Sequence, residues 1–152
     1  MEAKKISPAG AVIFYTWKNK FLLILRDDKP NILFPNTWAP VTGGVEEGED
    51  ICECARRESF EEIGIFPKKF KILGISAKGN GFFFGKLSDE EKKSIVLGEG
   101  QRFDFFDIEE LYKIKIGGAF KIYMDKFPEV FSRMAKGYEP QGEDFNLAVW
   151  NE

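Results

Sequence analysis

The chain has 152 residues with a formal net charge of −3, enough for one domain, expected to span 1–152, with a packed core. That charge, spread along the chain, gives no polyanion-binding surface, so duplex nucleic acid is not an expected partner. The absence of histidine excludes Ser–His–Asp triads, His-zinc centres and His proton shuttles, leaving metal chemistry to oxygen ligands of the kind that suit Mg²⁺ or Mn²⁺.

In chain order, Ala11 to Trp17 and Phe21 to Leu25 are apolar runs around the polar turn Lys18-Asn19-Lys20, which predicts a strand hairpin. A loop of turn formers from Asp27 to Thr37 follows. Trp38 to Val45 is expected as one short strand that breaks at Gly43-Gly44. Asp50 to Ile63 carries the clearest helix signals: Asp50 as cap, Glu53 completing a capping box, Gly64 as left-handed stop and Pro67 beyond. Phe70 to Ala77 and Phe82 to Leu87 predict a second strand pair turning at Lys78-Gly79-Asn80-Gly81. Ser88 to Lys93 predicts a helical turn, Phe103 to Phe106 a strand, and Ile108 to Tyr112 the start of a helical region. Ala119 to Phe127 and Glu129 to Lys136 form two amphipathic stretches separated by Pro128. The tail, 137–152, has no clear periodicity. The class is mixed, α+β.

Cys52 and Cys54 are too close for an ordinary disulfide and read as packing residues. No apolar N-terminal leader and no apolar run of about 18 residues is evident, so a soluble, cytoplasmic protein is expected, with no membrane partner. Sixteen Phe exceed what bulk burial needs, so some are expected to line a pocket.

On the central helix, Glu58, Glu61 and Glu62 fall at i, i+3 and i+4, which puts three carboxylates on one face. Ala55, Ser59, Ile63 and Cys52 share an adjacent face that can pack on a sheet. Like charges at this spacing repel, and Glu61 and Glu62 lie where the helix dipole disfavours anions. Arg57 offsets part of this by pairing with Glu61, and a divalent cation would offset more.

The stretch from Gly43 to Ile65 resembles the Nudix box, in which Gly is followed after five residues by Glu, and after seven more by Arg-Glu-apolar-x-Glu-Glu-x-Gly-apolar. Gly43, Glu49, Arg57, Glu58, Glu61, Glu62 and Gly64 match, and Ile65 fills the last position. At roughly 6 per cent usage per residue, such a match arises in about one random chain in a million. Ser59 departs from the pattern, standing where an aliphatic residue is usual, and is expected to bond back to a carbonyl one turn earlier. Thr42 replaces a common Gly and could still offer its carbonyl to a metal.

The resemblance implies an α/β/α sandwich with a mixed β-sheet and a central catalytic helix. It implies hydrolysis of a diphosphate linkage in a nucleoside triphosphate or related nucleoside diphosphate derivative, an oxidised nucleotide included. Nucleotide sugars, dinucleoside polyphosphates, a pteridine triphosphate, a non-catalytic nucleotide sensor and, ranked last, isoprenoid-diphosphate isomerase chemistry are the alternatives. Glu61 and Glu62 would hold Mg²⁺ or Mn²⁺, with Glu58 a further ligand or the base that deprotonates water. Arg57 joins this catalytic set as an orienting group that pairs with a helix glutamate, while Glu49, with Gly43 and Gly64, is a structural residue of the box that bonds to backbone in the loop. Glu99, between Gly98 and Gly100, is a candidate ligand from outside the box. Arg26 is a candidate phosphate contact, and Phe34, Trp38, Asn80, Phe82 and Phe84 are candidates for the base pocket, with Phe82 and Phe84 on one strand face. Monomer and homodimer both stay open.

Overall fold

A computed structural model describes residues 6–150. The predicted hairpin forms as β1 (Gly10–Trp17) and β2 (Lys20–Leu25). Lys18 and Asn19 take φ of 48° and 63° at its turn, the two positive values a tight hairpin needs. The two strands pair only at Thr16–Phe21 and Trp17–Lys20, then splay apart.

The fork is filled by the segment expected as one strand. Pro40 divides it into β3 (Trp38–Ala39), which pairs with β2, and β4 (Val41–Gly44), which pairs with β1. The reason is geometric: a single straight strand cannot follow two diverging neighbours, and proline has no N–H to donate to a ladder.

The helix α1 (Ile51–Ile63) follows, then β5 (Lys69–Ile75) and β6 (Asn80–Lys86) as the predicted antiparallel pair. Their turn closes earlier than expected, with the Ser76 N–H donating to the Asn80 carbonyl at 2.9 Å, and Asn80 and Gly81 belong to β6. β6 runs parallel to β1, and β7 (Arg102–Phe106) pairs antiparallel with β2. Short helices α2 (Asp89–Lys93) and α3 (Ile108–Leu111), then α4 (Gly118–Lys126) and α5 (Pro128–Met134), complete the order. The tail is ordered against β5: a 3₁₀ turn, Gly142–Phe145, leads to a bridge between Ala148 and Ile75.

Alternation along the strands builds two cores. Val12, Phe14, Leu23, Phe82 and Phe84 point to the side covered by α4 and α5, where Phe120, Phe131 and Phe145 surround Phe14 at centroid distances of 5.6 Å each. Ala11, Ile13, Tyr15, Leu22 and Phe83 point the other way, beneath α1. The result is a mixed sheet between helical layers. Ten of the sixteen Phe side chains are buried, so most serve these cores and not a pocket. Among the described residues no helix is long and apolar enough to cross a membrane.

Ser59 makes the expected bond, donating to the Ala55 carbonyl at 2.8 Å, and shares a 2.6 Å bond with the buried Tyr15 hydroxyl. Burial pushes the Tyr15 phenol above its ordinary range. Ser59→Ala is expected to cost about 1–3 kcal/mol by leaving that phenol unpaired. The double variant with Tyr15→Phe should recover most of the loss. Urea denaturation of the single and double variants measures both values.

Candidate active site

The carboxylate helix is fixed at both ends. Asp50 accepts from the Glu53 N–H at 2.8 Å, and Glu53 reaches back to the Asp50 N–H. At the other end Gly64 adopts φ 72°, and its N–H donates to the Phe60 carbonyl. The Gly98 N–H donates to the Glu62 carbonyl at 2.9 Å, and Val96 does the same for Ile63. This explains the glycine before Glu99: a Cβ at position 98 would collide with the Glu61 carbonyl. The close approach is to the helix end, and it brings Glu99 to the rim of the site.

The three glutamates are not equivalent. Glu58 and Glu62 are buried against β4, and Gly43 lacks the side chain that would otherwise collide with the Glu58 carboxyl. Glu61 stays half exposed and bonds to Arg57 at 3.1 Å. Among the described residues no three acidic or thiol groups converge as a ready-made metal cage. The predicted single acidic face is therefore a buried pair with a tethered neighbour, because Arg57 draws Glu61 aside.

Arg57 organises the rim. Its guanidinium holds Glu49 through two bonds of 2.8 and 3.0 Å, Glu58 at 2.8 Å and the Gly44 carbonyl at 2.9 Å. Arg57 also keeps the Glu49 carboxyl low, at about 2. Glu49 in turn accepts from the Glu46 N–H at 3.1 Å and so closes the loop before the helix. Arg57 and Glu49 thus tie the loop before the helix to the carboxylate face.

Glu62 receives much less. Its carboxyl accepts one 3.1 Å bond from the Thr42 N–H, and Arg26 is near enough to attract it. Burial, then the charge of Glu58, pushes its pKa up to about 8. Burial also raises Glu58, against the pull of Arg57. Thr42 meets the site through its N–H, which donates to Glu62. Cys54 is packing: burial pushes its thiol up to about 12.

A polar cavity of about 130 Å³ joins Glu62 and Glu99 to Arg26, Asp27, Ile24, Ile32 and Gly100. Asp27 was missed by sequence reasoning, although it directly follows Arg26 at the end of β2. Beside it a second cavity of about 200 Å³ has Arg26 and Thr42 at one side and Val12, Leu33, Phe34, Ala39, Pro40 and Phe120 among its walls. Phe34 stands at its mouth as expected of a pocket residue. Phe82, Phe84 and Trp38 do not line it: all three are core, and Trp38 packs edge-on against Phe106 at 4.8 Å. Asn80 lies at the start of β6 opposite Gly10, outside both cavities. Alternation placed Phe82 and Phe84 on one face correctly, but that face is the one α4 and α5 cover.

Comparison with known proteins agrees with this architecture. The chain is 39% identical over 68 residues to an m7GpppN-mRNA hydrolase of Xenopus laevis, a match covering 43% of this chain and 23% of that protein. It is 30% identical over 118 residues to a prenyl-diphosphate phosphatase of Methanosarcina mazei, covering 72% of this chain and 69% of the relative. The chain spans about a quarter to two-fifths of the length of the first curated relatives it matches. Among solved structures, a C. elegans Ap4A hydrolase complex superimposes with a TM-score of 0.55 at 24% identity, covering 85% of this chain and 99% of that one, a likeness of fold. The pattern of the NUDIX domain matches residues 6–123. The chain belongs to the NUDIX domain family.

Proposed function

We propose that the chain hydrolyses a phosphoanhydride bond in a small organic diphosphate, with a divalent cation held at Glu58 and Glu62 and the phosphates drawn to Arg26. The observation that carries this reading is the under-neutralised pair Glu58–Glu62, buried beside β4 and next to two cavities that Arg26 lines. Two buried carboxylates with so few donors suit a hard cation such as Mg²⁺ or Mn²⁺, with Glu61 and the cavity residue Glu99 as the candidates for further oxygen ligands. Bound there, the cation would neutralise phosphate oxygens and acidify the attacking water.

The chain's own residues do the rest. Arg57 orients Glu58 and restrains Glu61; the Thr42 N–H aims Glu62; Arg26 faces Glu62 across the polar cavity, where it can pair with phosphate oxygens. Glu58, oriented by its 2.8 Å bond from Arg57, can offer one carboxylate oxygen to the cation and the other to the proton of the attacking water.

Nucleoside triphosphates and nucleoside diphosphate derivatives are the first substrates to try, supported by the names of the mRNA hydrolase and Ap4A hydrolase relatives. The Methanosarcina mazei relative, named for a prenyl diphosphate, matches over most of both chains, so the organic half is not confined to nucleosides. The test is product release from nucleoside triphosphates, oxidised purine triphosphates, nucleotide sugars, dinucleoside polyphosphates and prenyl diphosphates with Mg²⁺, with Mn²⁺ and with EDTA. Turnover that EDTA abolishes is the expected result. Tight nucleotide binding without turnover on any substrate would replace the hydrolase reading with a sensor.

A further inference from the structure

We infer that the cavity beside the carboxylates holds a short branched hydrocarbon, so that the preferred substrate is an alkyl diphosphate and not a nucleotide. The inference rests on the diphosphate-hydrolase reading and narrows its substrate class.

The wall chemistry is the first ground. The cavity is lined by aliphatic and aromatic groups, with Arg26 and Thr42 the only polar side chains, both on the side toward Glu62. A nucleobase buried there would lose its water hydrogen bonds and find no side-chain amide or carboxyl to replace them. Two polar groups beside it are already committed. The Thr37 hydroxyl donates to the Phe34 carbonyl at 2.7 Å, and the Thr42 N–H to Glu62. Asn80, the one residue whose amide was suited to read a base edge, is elsewhere.

The second ground is the mouth. Leu33 and Phe34 are 77% and 55% exposed, two large apolar side chains side by side at a cavity entrance. They are not on a loose loop. The Arg26 N–H donates to the Thr37 carbonyl, the Asn36 N–H to the Asp27 carbonyl, and the Arg26 Nε to the Leu33 carbonyl at 3.0 Å. Gln101 ties the loop from outside, donating to the Arg26 carbonyl and Asn36 Oδ1. Phe34 is held at φ 50°, an unfavourable conformation for an aromatic residue, against Gly117 and Gly118. A loop that spends hydrogen bonds and backbone strain to hold exposed apolar groups over a cavity is built to cover something apolar.

The third ground is size. About 200 Å³ lies below the roughly 300 Å³ at which ordinary ligand sites begin. It suits a chain of a few branched units, while a base with its sugar overfills it. Arg26 lines both cavities and so stands at the joint between hydrocarbon and phosphates. In the reaction water's oxygen bonds to the terminal phosphorus, the bridging P–O bond breaks, and alkyl monophosphate and inorganic phosphate leave carrying water's protons.

The experiment compares kcat/KM with Mg²⁺ for dimethylallyl, geranyl and farnesyl diphosphates, dGTP, ATP and ADP-ribose, with products separated by chromatography. Expected is at least a tenfold preference for geranyl diphosphate over the best nucleotide, with a fall at farnesyl. Leu33→Asn should lower the geranyl value about tenfold, and the dimethylallyl value less, with unchanged Tm because the residue is exposed. A nucleotide turned over as well as geranyl diphosphate, or a rate blind to chain length and to Leu33→Asn, overturns the hydrocarbon assignment and leaves the hydrolase standing. No metal-dependent turnover of any of the six overturns both.

Discussion

Glu62→Gln is expected to lower turnover by about 10²–10³-fold and at the same time to raise the stability of the metal-free protein at pH 8. The two effects share a cause. Glu62 is buried beside Glu58 with one N–H for a partner, and its pKa rises from 4.5 to about 8. Between those values the folded chain keeps a proton that the unfolded chain has released. Metal-free stability contributed by this group is therefore full below about pH 4.5 and is lost as pH rises toward 8, at no more than about 1.4 kcal/mol per pH unit. The amide carries no charge and removes that dependence. Thermal unfolding from pH 5 to 9 with EDTA should show wild type falling and the variant falling less, its remaining slope coming from the buried Glu58. Added Mg²⁺ should raise the wild-type Tm and leave the variant's nearly unmoved. A variant less stable than wild type at pH 8 would mean that the buried charge is already balanced within the protein.

Arg57→Ala is expected to destabilise the fold by about 1–3 kcal/mol, chiefly by leaving the buried Glu58 without its donor, and to reduce activity even where the protein remains folded. One guanidinium ties the Glu49 loop, the Gly44 carbonyl, Glu58 and Glu61 together. Its loss leaves Glu49 and Glu58, both largely shielded from water, without their cation. Arg57→Lys should recover little, since an ammonium cannot grip Glu49 with two parallel bonds and still reach Gly44 and Glu58. Denaturant midpoints and kcat on the same preparations test this; a lysine variant with full activity would reduce Arg57 to a counter-charge.

The site was legible in the sequence where chemistry and spacing are local. The capping box at Asp50 and Glu53, the Gly64 stop and the Ser59 back-bond all depend on residues within a turn of one another, and each formed as read. What depended on distant neighbours was not legible. Spacing put Glu58, Glu61 and Glu62 on one face, but only β4 decides which two are buried. Period-two alternation paired Phe82 with Phe84, yet α4 and α5, some forty residues on, decide that their side is core. Trp38 to Val45 reads as one strand up to Gly43-Gly44 because the fork that splits it at Pro40 is made by β1 and β2. The tail, opaque in sequence, gains its structure from Gly74 and Ile75 across from Ala148.

The parallel pairing of β1 with β6 also sets the order in which the molecule can assemble. Gly10 lies opposite Asn80, and Phe21 opposite Phe106, so the central ladders join segments far apart in the chain. Closing such long loops costs entropy before any contact repays it, which slows folding relative to chains of similar size built from local contacts. The capped helix, by contrast, can form early from its own residues. Glu58 and Glu62 then wait in water, at their ordinary acidity, until β1 brings β4 against them. Desolvation of the pair is thus expected to follow helix formation, at the step that docks β4 on the helix.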